Sequence, residues 1–152
     1  MASNINPERN GAFVIQEDDE GKILMVRHNY GEKKWSLPGG GIGIAELASK
    51  AAVREEYEET GYIATAAVML LIAVLSPQLR YGMDLLFLCE RKSSQLKHDP
   101  GDVDAKEISE VRFMTSEEIS GLGDHVYPAQ RRMVLEHYAA YKKNGRVVMA
   151  QL

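Results

Sequence analysis

The segment REEYEETG concentrates charged side chains at spacings that suit a metal ion. Glu58 and Glu59 follow Glu55 by three and four residues, so on a helix the three side chains project from one arc of about 100°. They precede Gly61, a typical helix C-terminus, where the negative end of the helix dipole disfavours further carboxylates. Mg²⁺ and Mn²⁺ bind carboxylate oxygens and relieve this repulsion. The spacing therefore predicts a divalent cation site, and the competing interpretation is a solvated acidic helix face.

Fixed spacings connect this cluster to residues upstream of it. Gly40 is followed after five residues by Glu46, and after seven more by Arg54. The range Gly40–Tyr62 resembles the Nudix box, G-x5-E-x7-R-E-U-x-E-E-x-G-U with U a bulky aliphatic residue, and all of its glycine and charged positions are filled. The preceding WSLPGG resembles the lead-in of many Nudix hydrolases. On these motifs the chain is identified as a member of that family.

Four positions depart from the family pattern. Glu56 occupies the first aliphatic position, and Tyr62 at the last is bulky but aromatic. Gly43 and Ala45 stand where many members have Glu and Gly. Loss of the acid at position 43 removes one cation contact. The number of metal ions, and the effect of these departures on activity, therefore stay open.

The resemblance implies a set of metal ligands. Glu55, Glu58 and Glu59 match the metal-binding carboxylates of the family, and the backbone carbonyl of Gly39 matches their usual partner in the preceding loop. The implied cofactor is Mg²⁺, with Mn²⁺ as a substitute.

Supporting residues follow from the same resemblance. Arg54 matches the arginine of the box and is interpreted as orienting the carboxylates, because it precedes Glu58 by four residues. Glu46, together with Gly40, is expected to hold the loop against the helix.

The implied reaction is hydrolysis of a diphosphate bond, which requires charge neutralisation and a nucleophile near neutral pH. In the family the general base is a box glutamate or an acid on a later loop. The candidates on that loop, each also interpretable as a solvated charge, are Asp102, Asp104, Glu107 and Glu110. The histidines lack metal-ligand spacing and are interpreted as surface or structural residues: His28, His98, His125 and His137.

The substrate is less well determined. Some ADP-ribose pyrophosphatases of the family carry a proline about fifteen residues beyond the box, and Pro77 stands at that distance after Tyr62, although a proline that ends a strand is an equal alternative. A nucleoside diphosphate linked to another moiety, ADP-ribose or an NDP-sugar, is therefore favoured. The alternatives are a (d)NTP house-cleaning pyrophosphatase and, in another class, a catalytically weak nucleotide-binding module.

Composition is typical of one globular domain. The chain has 152 residues, 45% hydrophobic and 26% charged, which predicts a single domain over residues 1–152 with residues 1–9 as a flexible segment. A net charge of −4 argues against duplex nucleic acid or an anionic membrane as partner. The single Cys89, interpreted as an inert core thiol, and the absence of a signal peptide pattern favour the cytoplasm. Whether the protein is a monomer or a homodimer stays open.

The elements that must position the acidic cluster follow from hydrophobic periodicity and turn residues. Two apolar runs, 11–16 and 22–27, flank EDDEG and predict a hairpin. A box helix is predicted over 45–60, with Leu47, Val53 and Tyr57 as its packing residues. Further elements are strands at 64–75, 83–90 and 110–114, a capping box at 115–118, and a final helix from Pro128 to Asn144. The resemblance implies a Nudix-type α/β/α sandwich on a mixed β-sheet.

Overall fold

Two β-sheets and a set of helices form the fold of residues 10–74, 83–91, 107–145 and 148–151, which the computed structural model describes. The strands are β1 Gly11–Ile15, β2 Ile23–His28, β3 Trp35–Ser36, β4 Gly39–Gly41, β5 Ala64–Val74, β6 Met83–Arg91, β7 Ile108–Met114 and β8 Val148–Gln151. The helices are α1 Ala48–Thr60, α2 Ser116–Gly121, α3 Pro128–Arg132 and α4 Ala139–Asn144, with a 3-10 turn at Gly123–His125 and a π-helical segment at Met133–Tyr138.

The larger sheet is mixed. Its strand order is β4-β1-β6-β5-β8, with parallel pairs β1/β6 and β5/β8 and antiparallel pairs β1/β4 and β5/β6. The smaller sheet, β3-β2-β7, is antiparallel. This is the α/β architecture on a mixed sheet that the resemblance implied, so the predicted fold class is confirmed.

The predicted hairpin between the first two apolar runs is confirmed at its turn and does not extend along the strands. Beyond the turn, β1 pairs with β4 and β6 whereas β2 pairs with β3 and β7. The two runs meet at the antiparallel bridge between Glu17 and Ile23 and through the Leu24 N–H, which donates to the Gln16 carbonyl at 2.9 Å. Both strands are buried at consecutive positions. Because successive side chains point to opposite faces, each strand must be covered on both faces, which an isolated hairpin cannot provide.

Helix α1 carries the acidic cluster and begins at Ala48, three residues later than the predicted Ala45. The preceding backbone is not helical, since Ala45 has a left-handed φ of 59°. The helix ends as predicted at Gly61, whose φ is 76° and whose N–H donates to the carbonyl of Tyr57. The left-handed conformation is readily adopted by glycine, so this residue fixes where the carboxylate-bearing turn stops.

The buried face of α1 differs from the predicted one. Ala51 and Ala52 pack with Ala12 of β1 in one apolar cluster, and their small side chains let the helix approach the sheet closely. Leu47, predicted to pack, is 68% exposed, and Glu56 is fully buried where the family has an aliphatic residue. Glu56 follows Ala52 by one helical turn, so it shares the face that contacts the sheet.

Several other expectations can be compared with the described residues. The strands near 64–75, 83–90 and 110–114 are confirmed as β5, β6 and β7, and Thr115 and Glu118 form the predicted capping box. Cys89 is a buried free thiol, as predicted. Strand β8 was not predicted. Residues 1–9, Pro77, His98, Asp102 and Asp104 lie outside the described residues, and no helix within the described part is long and apolar enough to cross a membrane.

A substitution at the end of α1 tests the role of the left-handed residue. We expect Gly61→Ala to lower the free energy of unfolding by about 1 kcal/mol. The left-handed conformation is unfavourable for alanine, and this destabilises the folded state by more than the lower entropy of the unfolded chain stabilises it. The control is Gly121→Ala at the end of α2, where an added Cβ meets nothing within 4 Å. Urea denaturation measures both variants, and equal stability of the two would contradict this account.

Candidate functional site

The glycine strand β4 forms the floor of the acidic site. A Cβ on Gly40 would lie 2.6 Å from the carboxyl carbon of Glu55, so the Glu55 carboxylate rests directly on this strand. A Cβ on Gly39, whose φ is 157°, would lie 2.4 Å from the carbonyl oxygen of Ala12. Side chains at these two positions would displace the carboxylate or the neighbouring strand β1.

Arg54 is the central cation of the site. Its Nε and Nη2 atoms donate to the two carboxylate oxygens of Glu46 at 2.8 and 2.9 Å. Nη1 donates to Glu55 at 2.8 Å and to Glu58 at 3.2 Å, and Nη2 also donates to the Gly41 carbonyl at 3.0 Å. One planar guanidinium therefore connects the helix, the preceding loop and β4. The contact with Glu58 has the spacing of four residues that the sequence analysis used, while the orienting role stays a prediction.

Glu46 joins the loop to the helix. Besides its paired bonds with Arg54, its Oε1 accepts the N–H of Gly43 at 2.9 Å. The Arg54 guanidinium, followed by the Gly43 amide, lowers the pKa of Glu46 to about 2. The carboxylate consequently stays ionised at all pH values above that range, which keeps the loop attached to α1.

Glu59 is the most buried carboxylate of the cluster, 7% exposed, and its Oε2 has no hydrogen-bond partner. Burial, followed by the negative charges of Glu55, Glu107 and Glu58, raises the pKa of Glu59 well above its usual value, and a bond from the Gly39 N–H opposes this. A buried oxygen without a partner is unfavourable unless a cation or proton satisfies it. The donor set therefore fits a hard divalent ion.

Glu55 and Glu58 complete the predicted ligand set. Burial raises the pKa of Glu55, and Arg54 opposes this shift. The Glu58 side chain is 54% exposed and turns toward Arg54. Within the described residues, no three acidic, histidine or cysteine side chains lie close enough to hold one ion as they stand. Coordination by all three glutamates therefore requires side-chain rotation, which the exposed Glu58 permits.

The structure distinguishes two of the candidate bases. The negative charge of Glu107 contributes to the raised pKa of both Glu55 and Glu59, so its carboxylate lies near the cluster. Glu110 instead forms an ion pair with Arg112. Of the two candidates within the described residues, Glu107 is the one near the carboxylate cluster.

A cavity of about 420 Å³ lies beside this site, on the other side of β4. Its lining residues are Asn10, Gly11, Phe13, His28, Tyr30, Ser36, Gly39, Gly40, Gly41, Asp84, Tyr127, Ala129 and Gln130. These residues come from both sheets, from α3 and from adjoining loops. The sequence did not indicate that they meet, because the segments that carry them are far apart in the chain and have no common spacing.

His28 lines the cavity and is held in place by contacts within the protein. Its Nε2 lies 2.8 Å from the Ser36 hydroxyl, and its ring lies 5.1 Å from that of Tyr30 and 5.7 Å from that of Tyr127. Burial lowers the pKa of His28. The neutral imidazole and the two tyrosines give the cavity an aromatic side.

Comparison with known proteins provides an independent view of the chain. Residues 7–137 match the family model described as NUDIX domain. A putative 8-oxo-dGTP diphosphatase of Bacillus subtilis (strain 168) is 48% identical over 52 residues, which are 34% of each chain. An RNA pyrophosphohydrolase of Teredinibacter turnerae is 38% identical over 70 residues, 46% of this chain and 40% of the relative. The chain thus spans less than half of the length of these curated relatives.

Solved structures share the fold. A NUDIX hydrolase from Nitrosomonas europaea superimposes with a TM-score of 0.76 at 19% identity, covering 95% of this chain and 78% of that one. At this level of identity the similarity concerns the arrangement of sheets and helices.

The pKa of Glu46 reports directly on the Arg54 contact. We expect Arg54→Gln to raise the pKa of Glu46 from about 2 toward its ordinary value of 4.5, since the largest cause of the depression is removed. Carboxyl-detected NMR titration measures it: at about pH 3 the native side chain is ionised and that of the variant is protonated. Arg132→Gln, which removes the partner of exposed Glu136, is the control. An unchanged Glu46 titration in Arg54→Gln would contradict the geometry described here.

Proposed function

The chain belongs to the NUDIX domain family, and from that premise we propose that it is a divalent-metal-dependent pyrophosphohydrolase acting on a nucleoside diphosphate linked to another moiety. The observation that most supports this proposal is that Oε2 of Glu59 is buried and has no hydrogen-bond partner. Glu55 lies beside it, and the exposed side chain of Glu58 can reach it. Such a cluster is unfavourable for stability alone and is accounted for by a bound cation.

The chemistry of a diphosphate bond matches this cluster. Its oxygens carry negative charge that repels an attacking hydroxide, so the site must neutralise charge. When bound, Mg²⁺ supplies that neutralisation and lowers the pKa of a water molecule. Glu55, Glu58 and Glu59, with the backbone carbonyl of Gly39, would hold the ion.

Arg54 acts, in this proposal, on the carboxylates and not on the substrate. Its hydrogen bonds go to Glu46, Glu55, Glu58 and the Gly41 carbonyl. Five hydrogen bonds to these four protein groups leave little of the guanidinium for a phosphate. Its function is to fix the positions of the ligand oxygens.

Glu107 is the residue we propose as general base. It is exposed and lies near Glu55 and Glu59. It immediately precedes β7, and its carbonyl accepts the N–H of Asn29 at 2.7 Å. The anchored backbone supports this role, because a carboxylate near the proposed metal site can accept a proton from water.

Among substrates, we favour ADP-ribose or an NDP-sugar, on the position of Pro77 in the sequence. A (d)NTP pyrophosphatase is the second candidate, and the name of the Bacillus subtilis relative, a putative 8-oxo-dGTP diphosphatase, favours it. A nucleotide-binding module without turnover is the candidate of another class, and the buried Glu56 in place of an aliphatic residue favours it.

One screen separates these candidates. The protein is incubated with Mg²⁺ and ADP-ribose, NDP-sugars, dinucleoside polyphosphates or (d)NTPs, and phosphate is measured after phosphatase coupling. Turnover of a sugar-linked diphosphate supports the favoured substrate, and turnover of (d)NTPs alone supports the second. Nucleotide binding without turnover on any diphosphate would support the binding module.

Removal of a ligand charge tests the metal site. We expect Glu58→Gln and Glu59→Gln each to lower kcat by several orders of magnitude on the best substrate, because each removes a ligand at the reacting centre. The matched control is Glu117→Gln on the exposed surface of α2, which should retain full activity. Stripping the metal with EDTA should abolish activity in the wild-type protein. Full activity after stripping would refute the proposal.

A conservative change of Arg54 tests its positioning role. Arg54→Lys keeps the charge and loses the planar fork. We expect normal folding and similar substrate affinity, measured with Ca²⁺ in place of Mg²⁺, while kcat falls at least about tenfold, or roughly 1.4 kcal/mol of transition-state stabilisation. Unchanged kcat with weaker substrate binding would assign Arg54 to the substrate instead.

A further inference from the structure

The cavity and the carboxylate cluster lie on opposite faces of the same sheet. Gly40 carries the Glu55 carboxylate on the face covered by α1. Its neighbour Gly41 pairs with Gly11 of β1, and Gly11 pairs with Asp84 of β6. Because successive residues alternate between faces, this row faces the cavity. Strand β4 is the edge of the sheet, so one ligand can reach both sites around it.

Asp84 is an unusual residue for the wall of an apolar cavity. It is 8% exposed, and none of the described residues forms a hydrogen bond or ion pair with it. Burial raises the pKa of Asp84 to about 6. A Cβ on Gly11 would lie 2.5 Å from its Oδ1, so the glycine provides the space that the carboxylate occupies. A buried carboxylate without a partner is costly, which indicates a ligand with hydrogen-bond donors.

Gln130 provides a second polar group in the same cavity. This α3 residue is 6% exposed, and its Oε1 has no hydrogen-bond partner. The cavity wall therefore contains two buried side chains, Asp84 and Gln130, whose acceptor oxygens accept no hydrogen bond from the described residues. Among the residues that line it, none is lysine or arginine.

The cavity can be matched to parts of a nucleotide. Phosphate is unfavourable there, because the wall contains a carboxylate and no cationic lysine or arginine. The aromatic side formed by His28, Tyr30 and Tyr127 suits a flat ring. A volume of about 420 Å³ lies within the range of roughly 300–1,000 Å³ found for small-molecule sites. The base, with its donor-bearing edge, is therefore the part of the nucleotide that fits.

We propose that this cavity selects a guanine-type base, whose adjacent ring N–H and exocyclic amino group donate to the two carboxylate oxygens of Asp84, while Gln130 makes a further polar contact. The inference rests on the proposed function. Among the candidate substrates it favours an NDP-sugar or (d)NTP that carries guanine over ADP-ribose, whose base is adenine. Adenine fits less well, because its ring nitrogen beside the amino group is an acceptor that faces a second acceptor on the carboxylate.

Exchange of one carboxylate oxygen for an amide makes this specificity testable. An asparagine offers one acceptor and one donor, which is the pattern that adenine complements. Binding of GMP and AMP is measured by NMR titration at pH 8 in EDTA, so that neither metal nor turnover enters. We expect wild-type protein to bind GMP at least about tenfold more tightly than AMP. Asp84→Asn should reverse this order.

Controls separate this role from others. Asp124→Asn, in the exposed 3-10 turn, should leave both affinities unchanged, and Gln130→Leu, which tests the cavity if Asp84→Asn does not fold, should weaken GMP binding. dGMP should bind like GMP, because the proposed contacts involve the base.

Four results would overturn the assignment. The first three are equal affinities for GMP and AMP in the wild-type protein, no saturable binding of either, and equal weakening of both by Asp84→Asn. The fourth is loss of binding when GMP is replaced by dGMP, which would show that Asp84 binds the 2′-hydroxyl of the ribose and not the base. Failure of hydrolysis with Mg²⁺ bears only on the proposed function, because these measurements contain no metal.

Discussion

The site depends on one guanidinium that pairs with three carboxylates. Arg54 bonds to Glu46, Glu55 and Glu58, and without it these side chains would repel one another on a short stretch of α1 and its leading loop. Its planar fork also reaches the Gly41 carbonyl, so the same group connects charge balance to the position of β4. The same side chain therefore determines both the geometry of the acidic cluster and the path of the loop.

Close approach of backbone is the second requirement. Helix α1 presents Ala51 and Ala52 to β1, and β4 presents Gly40 to the Glu55 carboxylate. Small residues on both sides place the carboxylates directly on the sheet. Helix packing elsewhere in the described chain uses larger side chains, among them Met133, Val134 and Tyr138 of the π-helical segment.

What the sequence predicts depends on the range of the interaction. The end of α1 at Gly61 and the capping box at Thr115 follow from local chemistry, and the sequence indicates both. The failed expectations concern pairing across the chain. The separation of β1 and β2 into different sheets, the exposure of Leu47 and the burial of Glu56 are decided by which surfaces meet in three dimensions. The cavity is the extreme case, since Asp84 and Gln130 are brought together only by the fold.

Alternation of side chains along β6 has an evolutionary consequence. Asp84 and Leu86 point toward the cavity side, whereas Phe87 and Cys89 belong to the cluster beneath α1. A substitution on the cavity face of β6 therefore leaves the side chains beneath α1 unchanged. A lineage of such proteins could therefore acquire a new preference for its ligand through single replacements on β6, while the acidic helix on the far side of the sheet is inherited unchanged.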